Sequence, residues 1–186
     1  MSTVRWHVTM SLDGFIAGPK HEMEWARLAW LPRMTEMPPL ARSVLEDTGA
    51  IVAGRGWYEA ARDLHGVNGI YGGEWDGVVL VLTHHADETP YDPRITFVTN
   101  GITDAVGQAQ TAAGDQDVVV FGADLARQAL DADLVDEIVV HVAPVLLGDG
   151  IRLQGTKQIG LEPITLGSTG HLADLHYRVV RESDVD

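Results

Sequence analysis

Two glycine-bearing segments carry residue types suited to holding a phosphate. The first is Ala53-Gly54-Arg55-Gly56-Trp57-Tyr58-Glu59. Glycines on both sides of an arginine let the backbone approach a ligand, and a helix starting here exposes unpaired N–H groups. The guanidinium of Arg55 adds a fixed cation with fork geometry suited to phosphate. A tight turn beside a solvated arginine accounts for the same residues equally well. The second segment is Val118-Val119-Val120-Phe121-Gly122-Ala123-Asp124-Leu125, an apolar strand running through one glycine into a helix. A helix N-terminus above the carboxyl edge of a sheet is where α/β proteins bind diphosphates. Asp124 is either a plain N-cap or a slight deterrent to an anion. Neither segment is G-x-G-x-x-G, since Glu59 takes the last glycine position of the first, so the Rossmann fingerprint is absent.

Two further groups bring acid–base chemistry. The run Thr9-Met10-Ser11-Leu12-Asp13-Gly14-Phe15-Ile16-Ala17-Gly18-Pro19 sets an acid and a glycine in a turn after a first strand. Asp13-Gly14 is also a routine turn dipeptide. His141 shares a strand face with Val139 and Ala143, opposite Val140 and Val142. Such a histidine is either a satisfied core residue or a group that exchanges protons near neutrality. His84 and His85 are adjacent, so on a strand they point to opposite faces and cannot chelate one ion. The eight histidines contain no H-x-x-x-H pair, and neither G-x-S-x-G nor G-K-[ST] occurs, so no metal is expected and hydrolase and P-loop readings lose their main support.

Positioning these groups calls for alternating strands and helices. Val4, Trp6, Val8 and Met10 alternate with polar residues, the pattern of a half-buried strand. An irregular stretch over 12–35 holds at most a short helix around Trp25–Trp30. Pro38 and Pro39 open a helix through Leu40, Val44 and Leu45, stopped by Gly49. Ala50–Ala53 enters Gly54, and Trp57–Arg62 turns helical. Val78–Leu82, Ile95–Val98 and Asp117–Phe121 are strands, Thr103–Ala113 and Asp124–Leu130 helices, and Val135–Ala143 a long β-branched strand. Two final strands, Leu161–Leu166 and Leu172–Val180, are joined as a hairpin at Gly167-Ser168-Thr169-Gly170. Strand–helix alternation with an antiparallel finish implies a single domain: a three-layer α/β sandwich on a mixed, mostly parallel sheet.

The chain has 186 residues, 45% hydrophobic and 22% charged, the size of one globular domain with its own core. With no cysteine there is no disulfide framework, Cys-based zinc site or thiol nucleophile, and an intracellular, cytoplasmic setting is expected. The first ten residues lack the charged and apolar regions of a signal peptide, and no run approaches the roughly 18 apolar residues of a membrane span. Thirteen basic against 27 acidic side chains leave a net charge of −14. A field of that sign repels a phosphate backbone and argues against nucleic-acid binding, while a small anionic ligand stays possible where local N–H groups and cations offset it.

In their order, Ser11 to Gly18, Gly54-Arg55 before Trp57-Tyr58-Glu59, Phe121 to Leu125, and Leu134 to Ile138 running on to Pro144-Val145-Leu146-Leu147-Gly148 resemble the reductase (C-terminal) domain of the riboflavin-biosynthesis deaminase-reductase family. That family has the dihydrofolate-reductase-like fold. No H-x-E…P-C-x-x-C deaminase pattern is present, so the resemblance is to a stand-alone reductase domain. It implies an NADPH-dependent reductase. Gly54, Arg55, Gly56 and Trp57, with Thr83 and His84, would hold the adenosine and its 2′-phosphate. Phe121, Gly122, Ala123, Asp124 and Leu125 would cradle the pyrophosphate, and Val8, Thr9, Ile16 and Ala17 would face the nicotinamide. Arg55 after a strand, where an NAD site usually places an acid, agrees with NADP. Many members of that family carry Gly-Arg-x-Thr where this chain has Gly54-Arg55-Gly56-Trp57, and the pyrophosphate turn is often Gly-Gly-Ala where this chain has Phe121-Gly122-Ala123. The indole lacks a hydroxyl for phosphate but can stack on adenine, and Phe121 narrows the approach.

The expected substrate is a small heterocycle or carbonyl compound, pterin-like or ribosylaminopyrimidine-like, contacted by Ser11, Leu12, Asp13 and Trp25. Trp25 and Trp30 would form an apolar wall for a flat ring, or else core or a dimer contact. Hydride transfer needs a proton for the heteroatom, and Asp13 and His141 are the candidates to supply it. A non-catalytic dinucleotide- or ligand-binding protein on the same fold is the alternative; an acidic dimer with no ligand is a third reading. A homodimer formed through the C-terminal strands is expected.

Overall fold

The apolar runs read as doubly covered strands form the middle of an eight-stranded sheet in the computed structural model, which describes residues 2–26, 37–62, 66–85 and 89–181. The strands are β1 (Val4–Ser11), β2 (Phe15–Ala17), β3 (Thr48–Gly54), β4 (Val78–Leu82), β5 (Ile95–Val98), β6 (Asp117–Phe121), β7 (Glu137–Ala143), β8 (Ile151–Arg152), β9 (Gly160–Thr169) and β10 (Leu172–Val180). The helices are α1 (Pro39–Asp47), α2 (Arg55–Arg62), α3 (Ile102–Ala113) and α4 (Ala123–Asp131), with a 3-10 segment at Gly66–Gly73. The sheet order is β5-β4-β3-β6-β1-β7-β10-β9. All pairs from β5 to β7 are parallel, and β10 joins β7 and β9 antiparallel.

Alternation within each strand sends side chains to two cores. Trp6, Val52, Val118 and Val120 pack under α3 and α4 with Ala105, Ala109, Leu125 and Ala126. Ile51, Val79, Val81, Val119 and Val139 pack on the other face with Val44 of α1, Tyr58 of α2, and Val67 and Ile70 of the 3-10 segment. This is the expected three-layer α/β sandwich. Full burial of one valine is worth about 1.5–3 kcal/mol, so the continuous valine runs of β4 and β6 fix the order of the central strands far more firmly than any surface contact.

Several boundaries differ from the sequence reading, each for a physical reason. Gly49 lies inside β3 rather than ending a helix; α1 stops at Asp47, where the Thr48 hydroxyl turns back to the Val44 carbonyl at 2.5 Å. A Cβ at Gly49 would stand 2.9 Å from the Ala113 carbonyl oxygen, so glycine is there to let the end of α3 approach. The final hairpin turns at Gly170-His171, with Gly167, Ser168 and Thr169 in β9. The β2–β8 pair and the 3-10 segment have no counterpart in the reading. Residues 24–26 are helical, but most of the helix expected around Trp25–Trp30, Trp30 included, falls outside the described residues. No helix among the described residues is long and apolar enough to cross a membrane.

Candidate active site

Parallel strands bring their carboxyl ends to one edge, and the residues with phosphate chemistry collect there. Gly54 ends β3 and Gly122 follows β6; Ala53 and Phe121 are direct register partners, so the two glycine turns open next to each other. Gly122 has φ +98°, a conformation that L side chains rarely adopt, and it starts α4 with no side-chain cap. The first-turn amides of Ala123, Asp124 and Leu125 therefore face this edge. The Asp124 carboxylate does not cap them: it is drawn to Arg127 at 2.6 Å and Gln128 at 2.7 Å, and Arg127 lowers its pKa. A methyl group at Gly54, Gly56 or Gly122 would meet no atom within 4 Å, so these glycines preserve open space.

Arg55 is oriented as the first residue of α2. Its Nε donates to Glu59 at 2.9 Å, and its guanidinium lies 4.9 Å from the Tyr58 ring centroid and 5.8 Å from that of Phe97. Thr83, buried after β4, holds the following turn by exchanging hydrogen bonds between its hydroxyl and the His85 backbone, while His84 is exposed. The Trp57 and Phe121 rings meet at 6.2 Å, and Tyr71 stands 6.2 Å from the other side of Phe121. Val8, Thr9 and Phe121 line a pocket of about 260 Å³ together with His7 and Tyr71.

The remaining candidates divide. Ile16 and Ala17 are buried in β2, with Ile16 in the core, and Leu125 is likewise a core side chain whose amide alone is at the edge. Ser11 is sealed; its hydroxyl donates to Asp13 at 2.6 Å and accepts from the Phe15 amide at 2.9 Å, so it builds the turn rather than meeting a substrate. Leu12 is exposed. The Asp13 carboxylate also accepts the Leu147 and Gly148 amides, at 3.1 and 2.8 Å. The Ser11 hydroxyl first, then these amides, hold its pKa down to about 2, so it is ionised at neutral pH and has no proton to give. It clamps the loop after β7 to the turn after β1. Trp25 is partly buried, and its indole N–H has no partner among the described residues.

His141 is fully buried and reaches the pocket only through another residue. Its Nδ1 lies 2.6 Å from Asp174, its Nε2 lies 2.9 Å from Nε2 of His7, and His7 Nδ1 lies 2.8 Å from the Tyr71 hydroxyl. The Thr169 hydroxyl donates to the other Asp174 oxygen at 2.5 Å. Burial, then His141, Arg5 and His176, hold His7 well below the usual 6.5; burial also lowers His141 against the opposing pull of Asp174. Tyr71 reaches His7 from a left-handed backbone, φ 49° and ψ 39°, at a kink in the 3-10 segment. That conformation costs roughly 1–2 kcal/mol in a non-glycine residue. The stacking of its ring on His7 at 5.6 Å and its hydroxyl bond offset a strain of that size. His7, Tyr71 and Asp174 are functional candidates that the sequence reading missed. The strand pattern puts His7 among the polar positions of β1, and only the pairing register sets it on one face with His141.

The sheet order, its antiparallel final pair and the glycine turns at its carboxyl edge define a dihydrofolate-reductase-like α/β domain. The chain belongs to the RibD C-terminal domain family, which it matches over residues 2–174. It is 28% identical over 167 residues to the uncharacterized protein YwjB of Bacillus subtilis (strain 168), covering 83% of this chain and 90% of that protein. A candidate riboflavin biosynthesis protein from Shewanella sp. PV-4 shares its structure with a TM-score of 0.80 and 22% identity, over 97% of this chain and 100% of that one. A Thermotoga maritima diaminohydroxyphosphoribosylaminopyrimidine deaminase/5-amino-6-(5-phosphoribosylamino)uracil reductase aligns at TM-score 0.66 and 14% identity, over 96% of this chain and 57% of that one. The Saccharomyces cerevisiae riboflavin biosynthesis reductase Rib7 aligns at 0.58 and 14%, over 96% and 90%. At these identities the likeness to the solved structures is one of fold.

Proposed function

We propose that this protein is an NADPH-dependent reductase that transfers a hydride to a C=N or C=O group of a small heterocycle of the ribosylaminopyrimidine or pterin type. The observation that carries the reading is the pair of open glycine turns, Gly54 and Gly122, side by side at the carboxyl edge and next to the pocket on β1. The residues fit such a cofactor. Unfilled space at three glycines admits a pyrophosphate and ribose, the amides starting α4 face an anion, and Arg55 supplies a fork-shaped cation for a 2′-phosphate. When bound, NADPH supplies the hydride.

The chain's own residues do the rest. Glu59, Tyr58 and Phe97 hold Arg55 in place before any ligand arrives, which lowers the ordering cost of binding. Phe121 and Tyr71 offer ring faces to a flat substrate at the pocket, and Trp57 packs against the outer side of Phe121. Family membership, and the reductase activities named for the Thermotoga and yeast proteins, support this substrate class. The alternative, a ligand-binding protein without turnover, draws support from Trp57 and Phe121, whose rings crowd the edge that smaller residues would leave open. We also place the working unit as a homodimer in the cytoplasm. β9 is an exposed edge strand, and the bulge opposite His176/Tyr177 puts Leu161, Pro163 and Leu166 on the same face as Val179, Tyr177 and Leu175.

The test is purified protein with NADPH or NADH, following quenching of its five tryptophans, and then NADPH oxidation with 5-amino-6-(5-phosphoribosylamino)uracil. Saturable binding that prefers NADPH, followed by oxidation, supports the reductase. Binding without oxidation of NADPH by this or related aminopyrimidines and pterins leaves the ligand-binding alternative, and saturable binding of neither nucleotide removes the reductase and leaves a binder of some other small ligand.

A further inference from the structure

Four polar side chains from distant parts of the sequence form one unbroken file beneath the pocket: Asp174 on β10, His141 on β7, His7 on β1 and Tyr71 on the 3-10 segment. The separations of 2.6, 2.9 and 2.8 Å are all within hydrogen-bonding range. The inner end is sealed, with His141 and Asp174 at 0% and 4% exposure, while His7 and Tyr71 line the pocket. Two imidazoles and a carboxylate are an expensive filling for a sheet face that valines could occupy, and a strained Tyr71 completes the file.

We propose that this file is a proton relay, in which a proton held by the buried His141–Asp174 pair passes through His7 and Tyr71 to a heteroatom of the substrate in the pocket. It rests on the reductase reading and deepens it by assigning the route of the proton.

The hydrogen positions balance. In the discharged state the Tyr71 hydroxyl donates to His7 Nδ1, His7 Nε2–H donates to His141 Nε2, and His141 Nδ1–H donates to the Asp174 carboxylate, whose second oxygen accepts from Thr169. In the loaded state His141 is an imidazolium beside ionised Asp174, its Nε2–H donates to His7 Nε2, and His7 Nδ1–H donates to the Tyr71 oxygen. Delivery breaks the Tyr71 O–H bond and forms a bond from that hydrogen to the substrate's nitrogen or oxygen. The phenol oxygen takes the proton from His7 Nδ1, and His7 Nε2 takes the one from His141 Nε2. One proton leaves, and the file is returned to its discharged state with no redox change. His7 and Tyr71 border the ligand; His141 and Asp174 act through them as positioning residues.

The surrounding charges set the pH range. Arg5 on β1 and His176 on β10 oppose the extra proton, Asp174 favours it, and Glu137 on β7 is taken up by Arg5 and His176 at 2.9 and 2.8 Å. Burial adds to the opposition, so loading grows as pH falls below 6.5, and the loaded file is a stronger acid than a free imidazolium.

The experiment uses full-length protein with nitrogen-15-labelled histidine. The His7 and His141 ring nitrogens are expected to titrate together with one shared midpoint below 6.5, and Asp174→Asn should lower that midpoint by at least one pH unit. With NADPH and 5-amino-6-(5-phosphoribosylamino)uracil, kcat of the unaltered protein is expected to rise towards acid pH; Tyr71→Phe should remove that rise and slow solvent exchange of the ring N–H protons at least tenfold. Retained NADPH-induced tryptophan quenching shows that each variant is folded. Separate midpoints for the two rings, or unchanged or faster exchange in Tyr71→Phe, overturn the relay. A wild-type protein that does not oxidise NADPH overturns the reductase reading instead, and the ring titration and exchange still decide whether the file conducts.

Discussion

The rings of Trp57 and Phe121 lie 6.2 Å apart at an interplanar angle of 48°. They stand where many members of the resembled family carry threonine and glycine, and they form one paired contact across the edge between α2 and β6. An aromatic pair of this geometry contributes about 0.5–1.5 kcal/mol beyond its area. Phe121→Gly and Trp57→Thr, made singly and together, should be non-additive in denaturant-measured stability by that amount. Strict additivity would dismiss the pairing.

Arg55→Ala should weaken NADPH binding about tenfold or more and change NADH binding less than twofold. A charge-assisted bond from the guanidinium, already held by Glu59 through Nε, to a phosphate is worth about 1.5–3 kcal/mol, the size of a tenfold loss or more when it is removed. Equal losses for both nucleotides in tryptophan quenching would remove the 2′-phosphate assignment.

Gly122→Ala places a Cβ on a backbone with φ +98° but against no neighbouring atom, so its cost is conformational. About 1–3 kcal/mol of destabilisation is expected, together with loss of NADPH affinity as the turn relaxes. Thermal unfolding and nucleotide titration check the two parts.

Asp13 is held at about 2 in the fold against an ordinary 3.8. Its ionised form belongs to the folded state, so the stabilisation is complete above 3.8 and is lost as pH falls through about 2. Asp13→Asn should lower stability at neutral pH and flatten the acid limb of the stability curve. An unchanged limb, followed by circular dichroism, would show that the clamp on Leu147 and Gly148 contributes nothing.

Light scattering at tens of micromolar should give the mass of a dimer. Leu161→Glu with Leu166→Glu, two exposed residues on one face of β9, should give a monomer that retains its fold. A monomeric wild type would dispose of the C-terminal interface.

The central strands were legible because their burial is written locally: Val78–Leu82, Ile95–Val98 and Asp117–Phe121 are apolar runs bounded by turn residues, and they match β4, β5 and β6 end to end. The glycine turns were legible because helix starts after strands have few residue solutions. Gly49 was misread because its reason lies 64 residues away in the backbone of Ala113. The file beneath the pocket was invisible for a similar cause. Thr9 stands opposite His141 and His7 opposite Val139, a register set by the whole sheet, and Tyr71 arrives on a glycine-flanked segment with no periodicity to announce it. His141 was recognisable as unusual for its strand, but Asp174 as its partner was not.

That register has a consequence for the life of the chain. The hydrogen-bonded steps of the file join residues 64, 134 and 33 positions apart, and the last contributor, Asp174, sits in the final strand. During synthesis the glycine turns and most of the core are made first, while the histidines wait without a terminus for their proton. A nascent or clipped chain lacking β10 therefore has no carboxylate beside His141, and the file is complete only once that strand docks beside β7.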